Sequence, residues 1–319
     1  MKKITIKGHE EGVLTDSALM IGSFDGVHLG HKAIADTLIA LSRQKGLKPY
    51  ALTFEPHPRL VLGNNIKLLT THYEKFMLLS KLELDGVVYV DFNKRIADMS
   101  YADFVEQFIV KALGAKLVVV GYDHHFGRGR EGNPERLTEL GKLMGFDVKV
   151  VQPIKLGEKT IKSNTIRELV EYGDIAEANA MLGHLYLISG ITVKGKGLGE
   201  QIGYPTANIK VPEEKLLPLN GVYAAMVGVN DNFPDMPAVV YIGTAPTVSG
   251  KKKMVEVHIF DFEGKLYGTR LNIGLVDFIR VEREFCSTEV LRAQIENDIE
   301  RAKQIINRHT KKEPAHKTI

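Results

Sequence analysis

Hydrophobic positions in the first half of the chain alternate between short apolar runs and longer segments with helical spacing. Each apolar run predicts a strand: Ala18–Ile21, Tyr50–Phe54, Val87–Asp91, Lys116–Val120 and Val148–Val151. Helical spacing is found at Leu29–Gln44, Tyr73–Leu84, Tyr101–Leu113 and Thr165–Leu182. Strands that alternate with helices in this way are typical of a parallel sheet with right-handed crossovers. We therefore predict an α/β domain over residues 1–184.

The pattern changes after about residue 186, where short alternating runs are separated by Gly, Pro, Asn and Asp. This is typical of an antiparallel barrel or sandwich. The runs are Tyr186–Val193, Val222–Val229, Val239–Ile242, Met254–Phe260 and Leu271–Leu275. A last helix is predicted from about Ser287, because apolar residues from Leu291 to Ile306 form one stripe. We place this second domain at residues 185–308 and assign residues 309–319 to a basic tail.

The composition is that of an ordinary globular protein, with 44% hydrophobic and 25% charged residues. The net charge is only +3 and no basic stripe carries interleaved aromatic residues, so no nucleic-acid partner is expected. Cys286 is the single cysteine, so disulfides cannot support the fold, and a reducing compartment fits. No apolar run approaches the roughly 18–20 residues that span a bilayer, and no signal peptide is recognisable. We expect a cytoplasmic protein with no membrane partner.

The segment Gly22–His31, GSFDGVHLGH, lies where the first predicted strand ends and the first helix begins. In an open parallel sheet this is the position of the ligand-binding crevice. A helix N-terminus offers unpaired N–H groups and a positive dipole end to phosphate. Glycines at 22, 26 and 30 allow the backbone to approach a ligand closely. The segment therefore predicts a nucleotide phosphate site.

His28 and His31 are three residues apart, so they share one face at the start of the helix. Two imidazoles aimed at phosphate oxygens can stabilise the charge that develops when an α-phosphoryl group is attacked. Chance surface polarity is one alternative. Zinc is another, although helical zinc pairs usually stand four residues apart and need a third ligand. The surrounding glycines and the strand-to-helix turn favour the phosphate site.

These motifs resemble those of the bifunctional riboflavin kinase/FAD synthetase family of prokaryotes. GSFDGVHLGH is similar to the GxFDGxHxGH motif of its nucleotidyltransferase half, and Thr53–Pro58, Gly121–Gly127 and Ile161–Arg167 continue the resemblance in order. The resemblance implies that His28 and His31 belong to the site of adenylyl transfer. It also implies a set of ATP-binding residues: Gly22, Ser23, Phe24, Asp25, Gly30, His57, Asp123, Ser163, Asn164 and Arg167.

In the second half, Gly203–Asn208 is similar to the G-(F/W/Y)-P-T-A-N signature of riboflavin kinases. Taken alone it would be a turn before a strand, and Glu256 would be an outward-facing strand residue. The resemblance implies that Thr206 and Asn208 hold Mg²⁺ and ATP phosphate, that Gly195 and Gly203 lie in the ATP loop, and that Glu256 is the catalytic carboxylate. Hydroxyl and amide oxygens suit Mg²⁺.

The implied fold is a Rossmann-like nucleotidyltransferase domain followed by a small antiparallel β-barrel riboflavin kinase domain with a C-terminal helix. The implied chemistry is transfer of the γ-phosphoryl group of Mg·ATP to riboflavin, then transfer of AMP to FMN with release of pyrophosphate. The expected ligands are therefore riboflavin, FMN, FAD, ATP and Mg²⁺.

The chain departs from the family pattern at several positions. His124 replaces an aromatic residue. The family's Ser-Ser-Thr-x-x-Arg run is Lys162–Arg167 here, with Lys162 at the first serine and Asn164 at the threonine. Leu198 and Glu200 stand where basic residues are frequent, and a carboxylate repels phosphate. Two rival hypotheses stay open: an FAD synthetase with a weakened kinase half, and a non-catalytic flavin-binding or regulatory protein on the same scaffold.

Overall fold

The computed structural model describes residues 1–195, 199, 202–247 and 250–312. Leu198 and Glu200 therefore lie outside the described residues, as do residues 313–319 of the predicted tail. Contacts between Cα atoms divide the chain into two compact units. The first unit comprises Met1–Lys67 and Lys75–Lys162, and the second comprises Leu68–Glu74 and the chain from Ser163 onward.

The first unit is built on a parallel sheet of six strands in the order β1-β4-β3-β2-β5-β6. The strands are β1 Lys2–Ile6, β2 Ser17–Ile21, β3 Lys48–Glu55, β4 Gly86–Asp91, β5 Ala115–Gly121 and β6 Asp147–Val151. A small antiparallel ribbon of β7 (Lys155–Leu156) and β8 (Lys159–Thr160) follows. The predicted α/β sheet is thus confirmed.

Helices connect these strands. They are α1 Leu29–Lys45, α2 Pro58–Val61, α3 His72–Leu79, α4 Lys94–Ala97, α5 Tyr101–Phe104 and α6 Pro134–Met144. A π-helical segment at Val105–Ala112 continues α5, and a 3₁₀ turn spans Arg128–Arg130. Helix α1 ends at Gly46, whose φ of 66° allows its N–H to bond the carbonyls of Ser42 and Arg43. Val105, Phe108, Ile109 and Ala112 are buried in the core under the sheet.

Strand β1 and helix α6 are among the elements of the first unit that were not predicted. Strand β1 has only Ile4 and Ile6 among lysines and Thr5, because it is an edge strand that pairs with β4 alone. Helix α6 begins at Asn133, whose side chain accepts a hydrogen bond from the N–H of Arg136 and caps the helix.

The second unit contains a closed barrel with the strand order β10-β13-β12-β11-β14-β9, in which all neighbours are antiparallel. The strands are β9 Tyr186–Val193, β10 Ala207–Lys210, β11 Gly221–Val229, β12 Met236–Thr247, β13 Gly250–Ile259 and β14 Arg270–Val281. The helices of this unit are α7 Ser163–Tyr172, α8 Ile175–Leu182 and α9 Thr288–Lys312. The predicted barrel and C-terminal helix are confirmed.

Helix α9 buries Ile299, Ala302 and Ile306 against the barrel residues Val222 and Ala224. This is the predicted stripe. The helix continues to Lys312, four residues into the segment that was assigned to a tail.

Helices α7 and α8 group with the barrel unit, although the sequence analysis placed them before its boundary at residue 184. Asn179 on α8 gives the reason. Its amide donates to the carbonyl of Leu275 at 2.8 Å, and its side-chain oxygen accepts from the N–H of Tyr186 at 2.7 Å. A functional boundary at residue 184 stays a prediction.

Candidate functional site

In the first unit, three candidate segments follow neighbouring strands of the sheet. Strand β2 lies between β3 and β5, and the chain proceeds from β2 to one side of the sheet and later to the other. The loops after β2, β3 and β5 therefore meet at the carboxyl edge, at the topological switch point where α/β proteins bind ligands. These loops contain the predicted residues from Gly22 to His31, His57 and Asp123.

The loop after β2 has an uncommon backbone conformation. Phe24, Gly26 and Val27 have φ angles of 48°, 88° and 43°. A left-handed backbone conformation is unfavourable for Phe and Val, so it occurs only where contacts with the surrounding structure stabilise it. Phe24 is 1% exposed, and a Cβ atom at Gly22 would lie 2.9 Å from its ring. Packing of Phe24 beneath Gly22 thus determines the shape of the loop.

His28 caps helix α1 through its imidazole. Its Nδ1 accepts a hydrogen bond from the N–H of His31 at 3.4 Å, so a neutral ring carries its proton on Nε2. The rings of His28 and His31 stack, with centroids 3.7 Å apart and planes inclined by 14°. A Cβ atom at Gly30 would lie 3.0 Å from Cε1 of His28, so the absence of a side chain at position 30 makes room for the His28 ring. The structure therefore brings the two histidines together.

The His31 imidazole is held in its neutral form. Burial, then the neighbouring His28 and then Lys75, keep its pKa well below the ordinary value of 6.5. Its Nδ1 atom is buried and has no hydrogen-bond partner among the described residues. No group of three or more His, Cys, Asp or Glu side chains in the described ranges could hold a metal, so a zinc site lacks support there. A neutral imidazole with an unsatisfied buried nitrogen can bond a ligand.

Asp25 and His57 are also buried near this edge, 4% and 7% exposed. His57 caps α2, since its Nδ1 accepts from the N–H of Arg59 at 3.2 Å. The peptide bond between Glu55 and Pro56 is cis. His57 thus lies between two prolines as the N-cap of α2.

The loop after β5 contains Asp123, His124 and His125. Asp123 and His125 are exposed, and Nδ1 of His125 donates to the carbonyl of Asp123 at 2.9 Å. His124 is half-buried and stacks on Phe126, with ring centroids 5.4 Å apart. Burial, His125 and Arg130 lower the pKa of His124 to about 4. At neutral pH, His124 is thus an uncharged flat ring, the property shared by the aromatic residues that it replaces.

Ser163, Asn164 and Arg167 lie in the first turns of α7, in the second unit. The guanidinium of Arg167 donates to the side-chain oxygen of Asn164 at 2.6 Å. Lys162, the last residue of the first unit, lies over the ring of Tyr122 at 5.7 Å. A role of the three α7 residues in binding ATP stays a prediction.

In the barrel, Glu256 on β13 lies between two polar strand residues. Asn208 on β10 is its partner on one side, and Tyr241 on β12 is its partner on the other. Directly opposite residues project from the same face of a sheet. The segment after Gly203, expected to be a turn before a strand when taken alone, leads into a strand that aligns Asn208 with Glu256.

The glycines of this region fulfil backbone requirements. Gly203 has a φ of 86°, a left-handed conformation. A Cβ atom on Gly195 would overlap the side-chain amide of Asn208. The predicted set Gly195, Gly203, Thr206 and Asn208 is therefore brought together around the start of β10, with Glu256 beside it.

A cavity of about 410 Å³ opens at this face of the barrel. Its walls come from β10–β14 and α9: Tyr204, Thr206, Asn208, Val222, Val239, Tyr241, Met254, Glu256, His258, Arg280, Phe285, Leu291 and Asp298 among others. Arg280 makes a bidentate bond to Asp298, with the shortest distance 2.7 Å, and this ties β14 to α9. Sequence analysis missed Arg280 and Asp298, because 18 residues separate them and neither belongs to a motif.

A second cavity, of about 570 Å³, lies beside the first. Both cavities include Thr206 and His258 in their walls. His258 was also missed. Its Nδ1 donates to the carbonyl of Pro205 at 2.8 Å and so ties β13 to the segment that carries Thr206. His258 follows Glu256 by two residues on a predicted strand, which places both on one face. This spacing could have identified His258 from the sequence.

Comparison with known proteins yields two family models that match the chain in succession. The model described as FAD synthetase matches residues 11–165, and the model described as riboflavin kinase matches residues 182–306. The two matched ranges follow the order of the two sets of motifs.

Relatives extend over most of the chain. A protein of Escherichia coli K12 named bifunctional riboflavin kinase/FMN adenylyltransferase is 37% identical over 283 residues, which cover 88% of this chain and 90% of the relative. A Listeria monocytogenes protein of the same name is 36% identical and covers 89% and 90%. A Streptococcus pneumoniae structure titled as a macrolide-efflux protein has a TM-score of 0.85 at 28% identity, and covers 95% of this chain and 99% of that one. Within the described part of this chain, no helix has the length and hydropathy that a membrane crossing requires.

Proposed function

The chain belongs to the family of bifunctional riboflavin kinase/FMN adenylyltransferases, and on that premise we propose which of its residues carry each of the two reactions. It phosphorylates riboflavin to FMN and adenylylates FMN to FAD, with ATP as the co-substrate of both. We assign FMN adenylylation to the loop from Gly22 to His31 and riboflavin phosphorylation to the barrel face around Glu256. The stacking of His28 on His31 supports the adenylylation site, and the pairing of Asn208 with Glu256 supports the kinase site.

In the adenylylation site, the N-terminus of α1 faces the polyphosphate with the positive end of its dipole. The Nε2–H of His28 and the buried imidazole of His31 donate hydrogen bonds to α-phosphate oxygens. These bonds strengthen as charge builds up on the oxygens when FMN attacks, which favours the transition state over bound ATP. Ser23, Asp25, His57 and Asp123 line the same edge of the sheet and position the nucleotide.

In the kinase site, the two adjoining cavities of the barrel accommodate the two substrates. The cavity lined by Val222, Val239 and Leu291 offers apolar walls for the flavin ring. The neighbouring cavity receives the nucleotide. Thr206 lies in the walls of both, so the transferred phosphoryl group passes at its side. Glu256 accepts the proton of the attacking ribityl hydroxyl.

Mg²⁺ fits the residues at the start of β10. Thr206 supplies a hydroxyl oxygen and Asn208 supplies an amide oxygen. Because Gly195 has no side chain, there is room for the Asn208 amide beside it. Few protein ligands are needed, because Mg²⁺ keeps several waters and binds largely through substrate phosphates. When bound, the ion neutralises charge on the phosphates of ATP.

The decisive experiment incubates the protein with riboflavin, ATP and Mg²⁺ and separates riboflavin, FMN and FAD by chromatography. Formation of FMN followed by FAD is expected. A protein that converts supplied FMN but not riboflavin has a weakened kinase half, and one that binds flavin without conversion is a non-catalytic member. A reducing cytoplasm, which suits the exposed single Cys286, is the location that we propose.

A further inference from the structure

Lys75 lies beneath the loop that carries the two histidines, although it belongs to no motif. It is 3% exposed, on α3. Its ammonium group donates to the carbonyl of Ser23 at 3.2 Å, to Oγ1 of Thr53 at 3.4 Å and to the carbonyl of Phe54 at 3.4 Å. An ammonium group has three donors, and here each has an acceptor. Lys75 thereby joins the loop after β2 to the end of β3.

The surroundings of Lys75 are those of a buried charge. Burial lowers the pKa of Lys75, while Glu55 on β3 and Asp25 in the loop act in the opposite direction and favour its charged form. His31 experiences this charge. After burial and His28, Lys75 is the third cause that keeps the pKa of His31 low. A buried charge lowers the stability of the folded state unless it is paired and hydrogen-bonded. A lysine buried under a phosphate site is therefore expected to have a function there.

We propose that Lys75 is a positioning residue for FMN adenylylation, which fixes the Ser23 carbonyl and with it the loop of His28 and His31, and which places a positive charge beneath that loop. The inference rests on the proposed role of the two histidines. The charge opposes protonation of His31, so that this ring stays a neutral donor before ATP binds. When ATP binds, the same charge attracts its phosphates without contacting them.

The alternative is a lysine that only stabilises the core. A purely structural lysine predicts that its loss lowers the melting temperature and both activities together. A positioning residue predicts a loss in one activity, confined to turnover, because it acts on groups that stabilise the transition state. It also predicts a change in the titration of His31, which core packing alone would not produce.

The test compares Lys75→Met, which removes charge and donors, with Lys75→Gln, which keeps donors without charge. The control is Lys81→Met, at an exposed lysine six residues further on. Steady-state kinetics of both reactions are measured on the same preparations. For Lys75→Met, turnover of FMN to FAD should fall by about 10²-fold, since a displacement of about 1 Å has that effect. KM values, riboflavin phosphorylation and the Lys81→Met protein should stay near the parent values, and Lys75→Gln should lose less.

An NMR titration of the imidazole signals provides a second readout that needs no turnover. His31→Gln assigns its signal, and the pKa of His31 should rise in both Lys75 variants and stay unchanged in Lys81→Met. The inference is overturned if FAD formation by Lys75→Met is unimpaired, if both activities fall together, or if the titration of His31 does not move. If His28 and His31 variants make FAD at the parent rate, the proposed site fails instead, and the titration still decides whether Lys75 controls the charge of His31.

Discussion

Asn208 and Glu256 face each other as directly paired residues of the antiparallel strands β10 and β13. Side chains in such pairs have Cβ atoms about 4.5–5.5 Å apart. The amide assigned to Mg·ATP and the carboxylate assigned to the riboflavin hydroxyl are therefore held together by a strand ladder, which is more rigid than a loop. Tyr241, opposite Glu256 on the other side, donates its hydroxyl to Glu282, and burial, that bond and Glu256 raise its pKa.

Glu256→Gln should abolish most riboflavin phosphorylation. The substitution keeps the shape and hydrogen bonding of the side chain and removes its basicity. Turnover should fall by about 10²–10⁴, the usual scale of general-base assistance, with little change in KM for riboflavin and ATP. Rates of FMN formation by chromatography provide the measurement.

The matched control is Glu300→Gln, at an exposed carboxylate on α9. It should phosphorylate riboflavin at the parent rate, and FAD formation from supplied FMN should continue in both variants. Parental kinase turnover in Glu256→Gln would show that Glu256 is only a strand residue.

His28→Asn and His31→Gln should each reduce FAD formation and leave riboflavin phosphorylation intact. Asn at position 28 still accepts a bond at the helix N-terminus, so helix α1 is preserved while the imidazole is lost. Removal of one transition-state donor costs about 2.7–4 kcal/mol, or roughly 10²–10³ in rate. His125→Ala, at an exposed histidine, is the control. Equal losses in both reactions would indicate a folding defect rather than a catalytic role.

The histidine at position 124 should make stability depend on pH. Its pKa is about 4 when folded and about 6.5 when unfolded, so the unfolded chain binds the proton first as pH falls. The contribution of neutral His124 to the free energy of unfolding is fully present above about pH 6.5 and is lost between about pH 6.5 and about pH 4. Most of this loss, about 2 kcal/mol, falls between pH 7 and pH 5.

Urea unfolding of the parent and of His124→Phe at both pH values isolates this effect, because other titrating groups are common to both proteins. Phe keeps a flat ring against Phe126 and cannot bind a proton. The variant should gain about 2 kcal/mol over the parent on going from pH 7 to pH 5. An identical pH dependence in the two proteins would mean that His124 titrates freely in the folded state.

Sequence patterns predicted the elements whose periodicity is strong and the residues that belong to motifs. Strand β10 was expected only as the strand after the Gly203–Asn208 turn, because its four residues, Ala207–Lys210, are too short for alternation to appear. Stacking of His28 on His31 was not predictable either, since it depends on the left-handed turn at Phe24 and Val27. A motif places two residues on one face, whereas the distance between their rings is determined by tertiary packing.

Neither the burial of Lys75 nor the bond between Arg280 and Asp298 could be predicted from sequence patterns. A single lysine in a helix is normally solvated, and nothing in the neighbouring sequence indicates that three acceptors surround its ammonium group. Arg280 and Asp298 lie on different elements, and only the docking of α9 on the barrel brings them into contact. Such pairs are fixed by tertiary contacts between distant segments, to which local periodicity does not respond.

The ion pair of Glu74 and Lys215 provides the last prediction, on stability. Nζ of Lys215 lies 3.0 Å from Oε2 of Glu74, and both side chains are fully buried. Glu74 also accepts from the N–H groups of Ser189 at 2.6 Å and Thr71 at 2.8 Å. Removal of one partner leaves an uncompensated charge in the interior, which costs about 3–5 kcal/mol. Lys215→Met should therefore lower the free energy of unfolding by that amount in urea titrations.

The double variant Glu74→Gln/Lys215→Met should recover a large part of this loss. Its Gln side-chain oxygen still accepts from Ser189, and no charge is left unpaired in the interior. A buried pair that is replaced as a whole often costs little, whereas a broken pair costs much. Lys210→Met, at an exposed lysine of β10, is the control and should unfold like the parent. If the double variant is as unstable as Lys215→Met, the loss comes from the lysine's other contacts, such as its position 4.2 Å from the ring centroid of Tyr186, rather than from the unpaired carboxylate.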